Sequence, residues 1–155
     1  MERLRIYTDT SVIGGCFDPE FMVWSNGLVR DFRARRLIPV LSQVTAAEVA
    51  NAPVAVRELH EELLGLAGGL LPVTPEVLAL AAAYESRSAL GPRFRSDMLH
   101  IALATLADVD AMVSWNFKHM VRLDKIRLFN AVNAESGHRA LNILSPRGVT
   151  TYEGS

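Results

Sequence analysis

The chain has 155 residues, half of them hydrophobic and 21% charged, with a formal net charge of −1. That length and apolar content fit one domain with a real core and exclude a disordered polyampholyte. The near-zero charge excludes indiscriminate coating of nucleic acid, the single Cys16 excludes an intrachain disulfide, and the absence of an 18-residue apolar run excludes an ordinary membrane-spanning helix.

Leu4 to Thr8 predicts a first strand that ends at Asp9. With no basic-then-apolar leader ahead of it, a reduced cytoplasmic setting and no membrane partner are the expectation. Glu20 to Arg36 carries an apolar stripe of Met22, Trp24, Leu28, Val29 and Phe32 at helical spacing. Leu37 to Leu41 is a second strand, whose Pro39 suggests an edge position or a strand start. Ser42 or Thr45 then opens a helix containing Glu48. Asn51-Ala52-Pro53 breaks it and begins another through Leu66, stopped by Gly68-Gly69. Leu70 to Val73 is a short strand. Thr74-Pro75-Glu76 starts a helix to about Leu90, with a hydroxyl cap and proline at the first position. Ser96 is expected to cap the next helix, to about Asp108. Ala111 to Ser114 is a strand, a helical turn starts at Phe117, and a helix covers Leu123 to Asn133. Leu141 to Leu144 is the last strand. Residues 1–148 thus form one domain, with 149–155 as a loose tail.

Short apolar strands alternating with amphipathic helices predict an α/β fold with a mainly parallel sheet covered on both faces. Sites in such sheets form beyond the carboxyl ends of the strands. Asp9, Glu48 and Asp97 are all expected there, with Asn116 in a fourth polar station, Ser114-Trp115-Asn116. Each acid also has a structural role available: Asp9 as a helix cap, Glu48 in a capping box with Thr45, Asp97 against a helix dipole. Two carboxylates roughly 5 Å apart repel by about 3 kcal/mol at an effective dielectric of ~20. A divalent cation relieves that repulsion, and an oxygen donor set suits Mg²⁺ or Mn²⁺ better than zinc. The pattern therefore predicts a metal-dependent phosphodiesterase, with Asp9, Glu48 and Asp97 as ligands and Asn116 orienting the attacking water.

Asp9-Thr10-Ser11 after the first strand, isolated Glu48, Asp97 with His100-Ile101-Ala102 downstream, and Val113-Ser114-Trp115-Asn116-Phe117 together resemble the stations of PIN domains. The resemblance runs roughly from Leu4 to Pro146. It implies a three-layer α/β/α sandwich and Mg²⁺- or Mn²⁺-dependent cleavage of single-stranded or structured RNA. It also implies homodimers, and toxins of bacterial toxin–antitoxin pairs with an antitoxin protein as partner. By resemblance, Asp9, Glu48 and Asp97 match the acidic metal positions. Asn116 stands where the family often has aspartate, which motivates an alternative: a catalytically weak RNA- or protein-binding module. His100 matches a position that is often polar, and is expected to bond locally on its own helix.

Substrate contacts are expected from Thr10 and Ser11 beside Asp9, from Arg93 and Arg95 ahead of Asp97, and from Lys118 after Asn116. His119 and Arg122 extend that basic run. Cations at the pocket rim would hold phosphates.

Overall fold

The computed structural model describes residues 3–150. Five strands form one sheet: β1 (Leu4–Thr8), β2 (Leu37–Ser42), β3 (Leu70–Leu71), β4 (Ala111–Val113) and β5 (Ile143–Leu144). Their order is β3-β2-β1-β4-β5 and every pairing is parallel. Among the described residues seven helices flank it: α1 (Thr10–Gly15), α2 (Met22–Arg33), α3 (Gln43–Val49), α4 (Val54–Ala67), α5 (Pro75–Ser86), α6 (Arg95–Leu106) and α7 (Leu123–Glu135). The result is a three-layer α/β/α sandwich.

The strand period of two divides the core. Tyr7, Val40, Met112 and Ile143 face one side, where they meet Leu80 and Tyr84 of α5, Ile101 of α6 and Phe129 of α7. Ile6, Leu41, Ala111 and Val113 face the other and meet Ile13 of α1, Leu28 and Phe32 of α2 and Leu63 of α4. Burial on both faces is why the strands read as continuous apolar runs. Among the described residues, no helix is long and apolar enough to cross a membrane.

Several boundaries differ from the sequence expectation for local reasons. Thr10 and Ser11 open a helix, α1, ahead of α2, and α2 begins at Met22. β2 is an interior strand despite Pro39. β3 pairs only with Leu41 and Ser42, so Pro39 lies upstream of its reach and meets a strand on the β1 side alone. α5 ends at Ser86 because Ser88 takes a positive φ of 57° and turns Ala89 and Leu90 into the core. Ser96 is not a cap: a 3-10 turn, Pro92–Phe94, leads straight into α6 and leaves Ser96 inside the helix. The expected tail does not begin at 149. Val149 packs on the α2 face, and the buried Thr150 hydroxyl donates to Asp31 Oδ2. Residues 151–155 lie outside the described residues.

Other signals act as their chemistry dictates. Thr74 Oγ1 accepts from Val77 N at 3.3 Å, with Pro75 at the first helical position. Gly68 ends α4 in the left-handed region at φ 79°, where its amide bonds Leu64 O at 3.2 Å. An L side chain there is strained by about 1–2 kcal/mol. Gly68→Ala should therefore lower stability by about 1 kcal/mol in urea unfolding, whereas an unchanged midpoint would show that the cap contributes nothing.

Candidate functional site

The chain leaves β1 toward β2 on one side and later returns to β4 on the other. Ligands of open α/β sheets bind at the crevice where the strand order reverses in this way. Asp9 stands at the end of β1 and Ser114 at the end of β4, on the two walls of that crevice. Ser114 Oγ donates to Asp9 Oδ2 at 2.7 Å, and Ser11 Oγ donates to the same oxygen at 2.7 Å. Trp115 N in turn donates to Ser11 Oγ at 3.0 Å. Asp9 occupies the N-cap position of α1 but makes no side-chain cap bond. Its buried carboxylate therefore serves the crevice, with Oδ1 left without a hydrogen bond from a described residue.

Glu48 is likewise not spent on its helix. The capping box of α3 is closed by Ser42 and Thr45, and Glu48, one turn on, points to the crevice. Its Oε1 accepts from Thr10 Oγ1 at 2.7 Å and lies 2.6 Å from His100 Nε2. Thr10 and Ser11 thus orient the two acids.

His100, fully buried, bonds across the fold rather than along α6. Its Nδ1 is 2.6 Å from Tyr7 Oη, which is 2.7 Å from Ser42 Oγ, and its Nε2 is 3.6 Å from Asp9 Oδ1. With a neutral imidazole the donors run from Ser42 to Tyr7, from Tyr7 to Nδ1, and from Nε2–H to Glu48. Burial pulls the His100 pKa down, but the hydrogen bond to Glu48 and the charges of Asp9, Glu48 and Asp97 outweigh it and raise it overall. Burial pushes the Tyr7 phenol far up, so it stays neutral. Burial also acts to raise Glu48, yet His100 and Thr10 hold its pKa below the usual range.

Asp9, Glu48 and His100 offer atoms within 4.8 Å of one another. Asp97, in the first turn of α6, stands outside this tight group but within electrostatic reach of it. Its pKa is raised to about 6, first by burial and then by the Asp9 carboxylate, with His100 offsetting part and Glu48 adding a little. A helix N-terminus alone would lower it, so desolvation and like charge win. Its carboxylate forms no hydrogen bond or ion pair with a described residue.

The remaining candidates divide. Asn116 caps the turn after β4, with Oδ1 accepting from His119 N at 2.9 Å, and does not reach the acids through a hydrogen bond. Its N–H instead bonds Ser114 Oγ at 3.0 Å. Arg95 lines a small hollow with Ala81, Ala82, Glu85 and Met98 against α5. Arg93 and Lys118 are exposed. Tyr7, Ser42, Ser114 and His100 enter the site without being assigned to it from the sequence. The readable signal was the strand period, which puts Tyr7 on the α6 side of β1, two residues before Asp9.

One glycine sets the geometry. A Cβ on Gly15 would come within 2.6 Å of Ser25 Oγ and 2.8 Å of Trp115 Nε1, two atoms already hydrogen-bonded to each other at 2.8 Å. The Trp115 indole also stacks on Phe21, with ring centroids 4.5 Å apart.

The donor set fits a hard divalent cation. The free oxygens belong to Asp9, Asp97 and Glu48, while the one ring nitrogen is committed to Glu48.

Asp97 gives a signed prediction. Its folded pKa of about 6 exceeds the ordinary 3.8, so it favours the fold while protonated. That contribution is complete below about pH 4 and is lost as pH rises through about 6. In chelator-containing buffer Asp97→Asn should therefore stabilise the protein near pH 8, by on the order of 1 kcal/mol after solvent screening, and leave it unchanged near pH 4. Melting curves that shift equally at both pH values would refute the coupling. Comparison of the chain with protein-family models, with curated proteins and with solved structures finds no match.

Proposed function

We propose that the chain is a PIN-like, Mg²⁺- or Mn²⁺-dependent endoribonuclease that hydrolyses phosphodiester bonds. The observation that carries this reading is the Asp97 carboxylate, partly buried within electrostatic reach of Asp9 and Glu48 and without a hydrogen bond or ion pair to a described residue. Such a group calls for a cation, and its neighbours leave oxygens open to one.

Asp9, Asp97 and Glu48 would hold the ion. Once bound, it would stabilise charge building on a phosphoryl oxygen and acidify water. The chain's own residues do the positioning. Ser11 and Ser114 fix one Asp9 oxygen and so aim the other. Thr10 and His100 do the same for Glu48, and Tyr7 holds the imidazole in the orientation that does so. Tyr7, Ser42 and His100 are buried behind the acids, whereas Glu48 is exposed.

A second reading, a catalytically weak RNA- or protein-binding module, is favoured by two observations. His100 Nε2 already stands against Glu48 at 2.6 Å and Asp9 at 3.6 Å, and Asn116 is consumed by its turn.

Metal and RNA assays separate the two. The nuclease should be stabilised by Mn²⁺, by about 2.7 kcal/mol at 100 times the dissociation constant. It should cut single-stranded RNA with Mn²⁺ or Mg²⁺, stop with chelator, and lose activity on the order of 100-fold in Asp97→Asn. Equal cleavage by variant and parent, or no metal effect on melting, would overturn it.

A further inference from the structure

The turn after β4 lies beside the carboxylates and is held rigidly. Asn116 caps it through His119 N, and Asn116 O accepts from Met120 N at 3.1 Å and Val121 N at 2.9 Å. Met120 is fully buried and anchors the turn in the core. Between these anchors Phe117 and Lys118 are exposed and His119 is half-buried. Phe117 is 49% exposed and sits 6.0 Å from the buried Trp115 ring. Trp115 N in turn holds Ser11, which holds Asp9. Next to Phe117, Lys118 has no carboxylate partner among the described residues. His119 then packs on Phe94, with ring centroids 4.0 Å apart, and so ties this turn to the 3-10 turn leading into α6. Arg93 lies over the Phe94 ring at 5.1 Å and also lacks a carboxylate partner among the described residues. Burial and then the charges of Lys118, Lys125, Arg122 and Arg93 depress the His119 pKa, consistent with cations gathered around one ring. Arg122 pairs with Asp124 at 2.8 Å and Lys125 donates to the Ala89 carbonyl at 2.9 Å, whereas Arg93 and Lys118 have no carboxylate partner among the described residues.

An exposed ring next to Lys118, with Arg93 brought to the same surface through the Phe94–His119 contact, matches a polynucleotide in single-stranded form: a face for a base and charges for its phosphates. Bases in a duplex are stacked already and do not offer that face. We propose that the turn after β4 and the Pro92–Phe94 turn form a binding shelf for a single strand, with Phe117 under a base and Arg93 and Lys118 on backbone phosphates. His119 and Phe94 are positioning residues that set the distance between the two cations. The role of the shelf in feeding a strand to the acids rests on the nuclease reading, but binding to it does not.

The test uses the full chain in chelator, so that no metal chemistry enters. Fluorescence anisotropy of a labelled oligouridylate is measured against salt for the parent, Phe117→Ala, Phe117→Tyr, Arg93→Ala and Lys118→Ala. All these positions are exposed, and melting curves check that each variant is folded. Phe117→Ala should bind roughly ten-fold more weakly and Phe117→Tyr should bind like the parent. Each cation variant should reduce the slope of log affinity against log salt by about 0.7. A duplex of the same length should bind more weakly than the single strand. Parent-like binding by Phe117→Ala, unchanged salt slopes, equal duplex binding or no binding by the parent would each overturn the shelf. Loss of binding in these variants from a parent that never cleaves RNA would sink the nuclease reading and leave the shelf standing.

Discussion

Carboxylates gathered at the end of a sheet push one another apart, and the buried imidazole of His100 lets two of them stay. It stands between Glu48 and Asp9, takes its orientation from Tyr7, and hands that orientation on to Glu48. The network ties β1, α3 and α6 together at the point where the crevice opens. A fully buried imidazole is costly unless its nitrogens are met, and here both are. Asp97 receives no comparable partner among the described residues, and burial and the Asp9 carboxylate raise its pKa to about 6.

The sheet explains why the acids stand at one edge. Both of its faces are covered by helices, so polar side chains along the strands have nowhere to go. They collect past the last residues, where Asp9, Ser42 and Ser114 follow β1, end β2 and follow β4. The helix caps then settle which acids are free. Ser42 and Thr45 close the box on α3 without Glu48, and the cap position of α1 leaves the Asp9 carboxylate unused.

Much of this was legible in the sequence, for identifiable reasons. Strands buried on both faces are short apolar runs, and Thr74-Pro75 and Gly68 mark helix ends through local chemistry alone. The edge carrying the acids followed from parallel order. What local reasoning missed depends on distant contacts. α1 is six residues long and is held by the indole and α2, so Thr10 and Ser11 read as substrate contacts beside Asp9 rather than as the start of a helix. Pro39 suggested an edge because nothing in the chain tells how short β3 is. Asn116 resembled a site residue because of the strand before it, yet the turn after it claims its oxygen. His100 looked local because its partners lie 52 and 93 residues away.

Gly15 carries a consequence for mutational tolerance. It touches none of the acids, yet its missing carbon fixes how low α1 rides over the indole, and that indole belongs to the residue whose amide steadies Ser11. A methyl group there acts as a wedge driven between layers. Damage to the chemistry can therefore originate on the far side of a helix, at a position an inspection of the crevice alone would pass over.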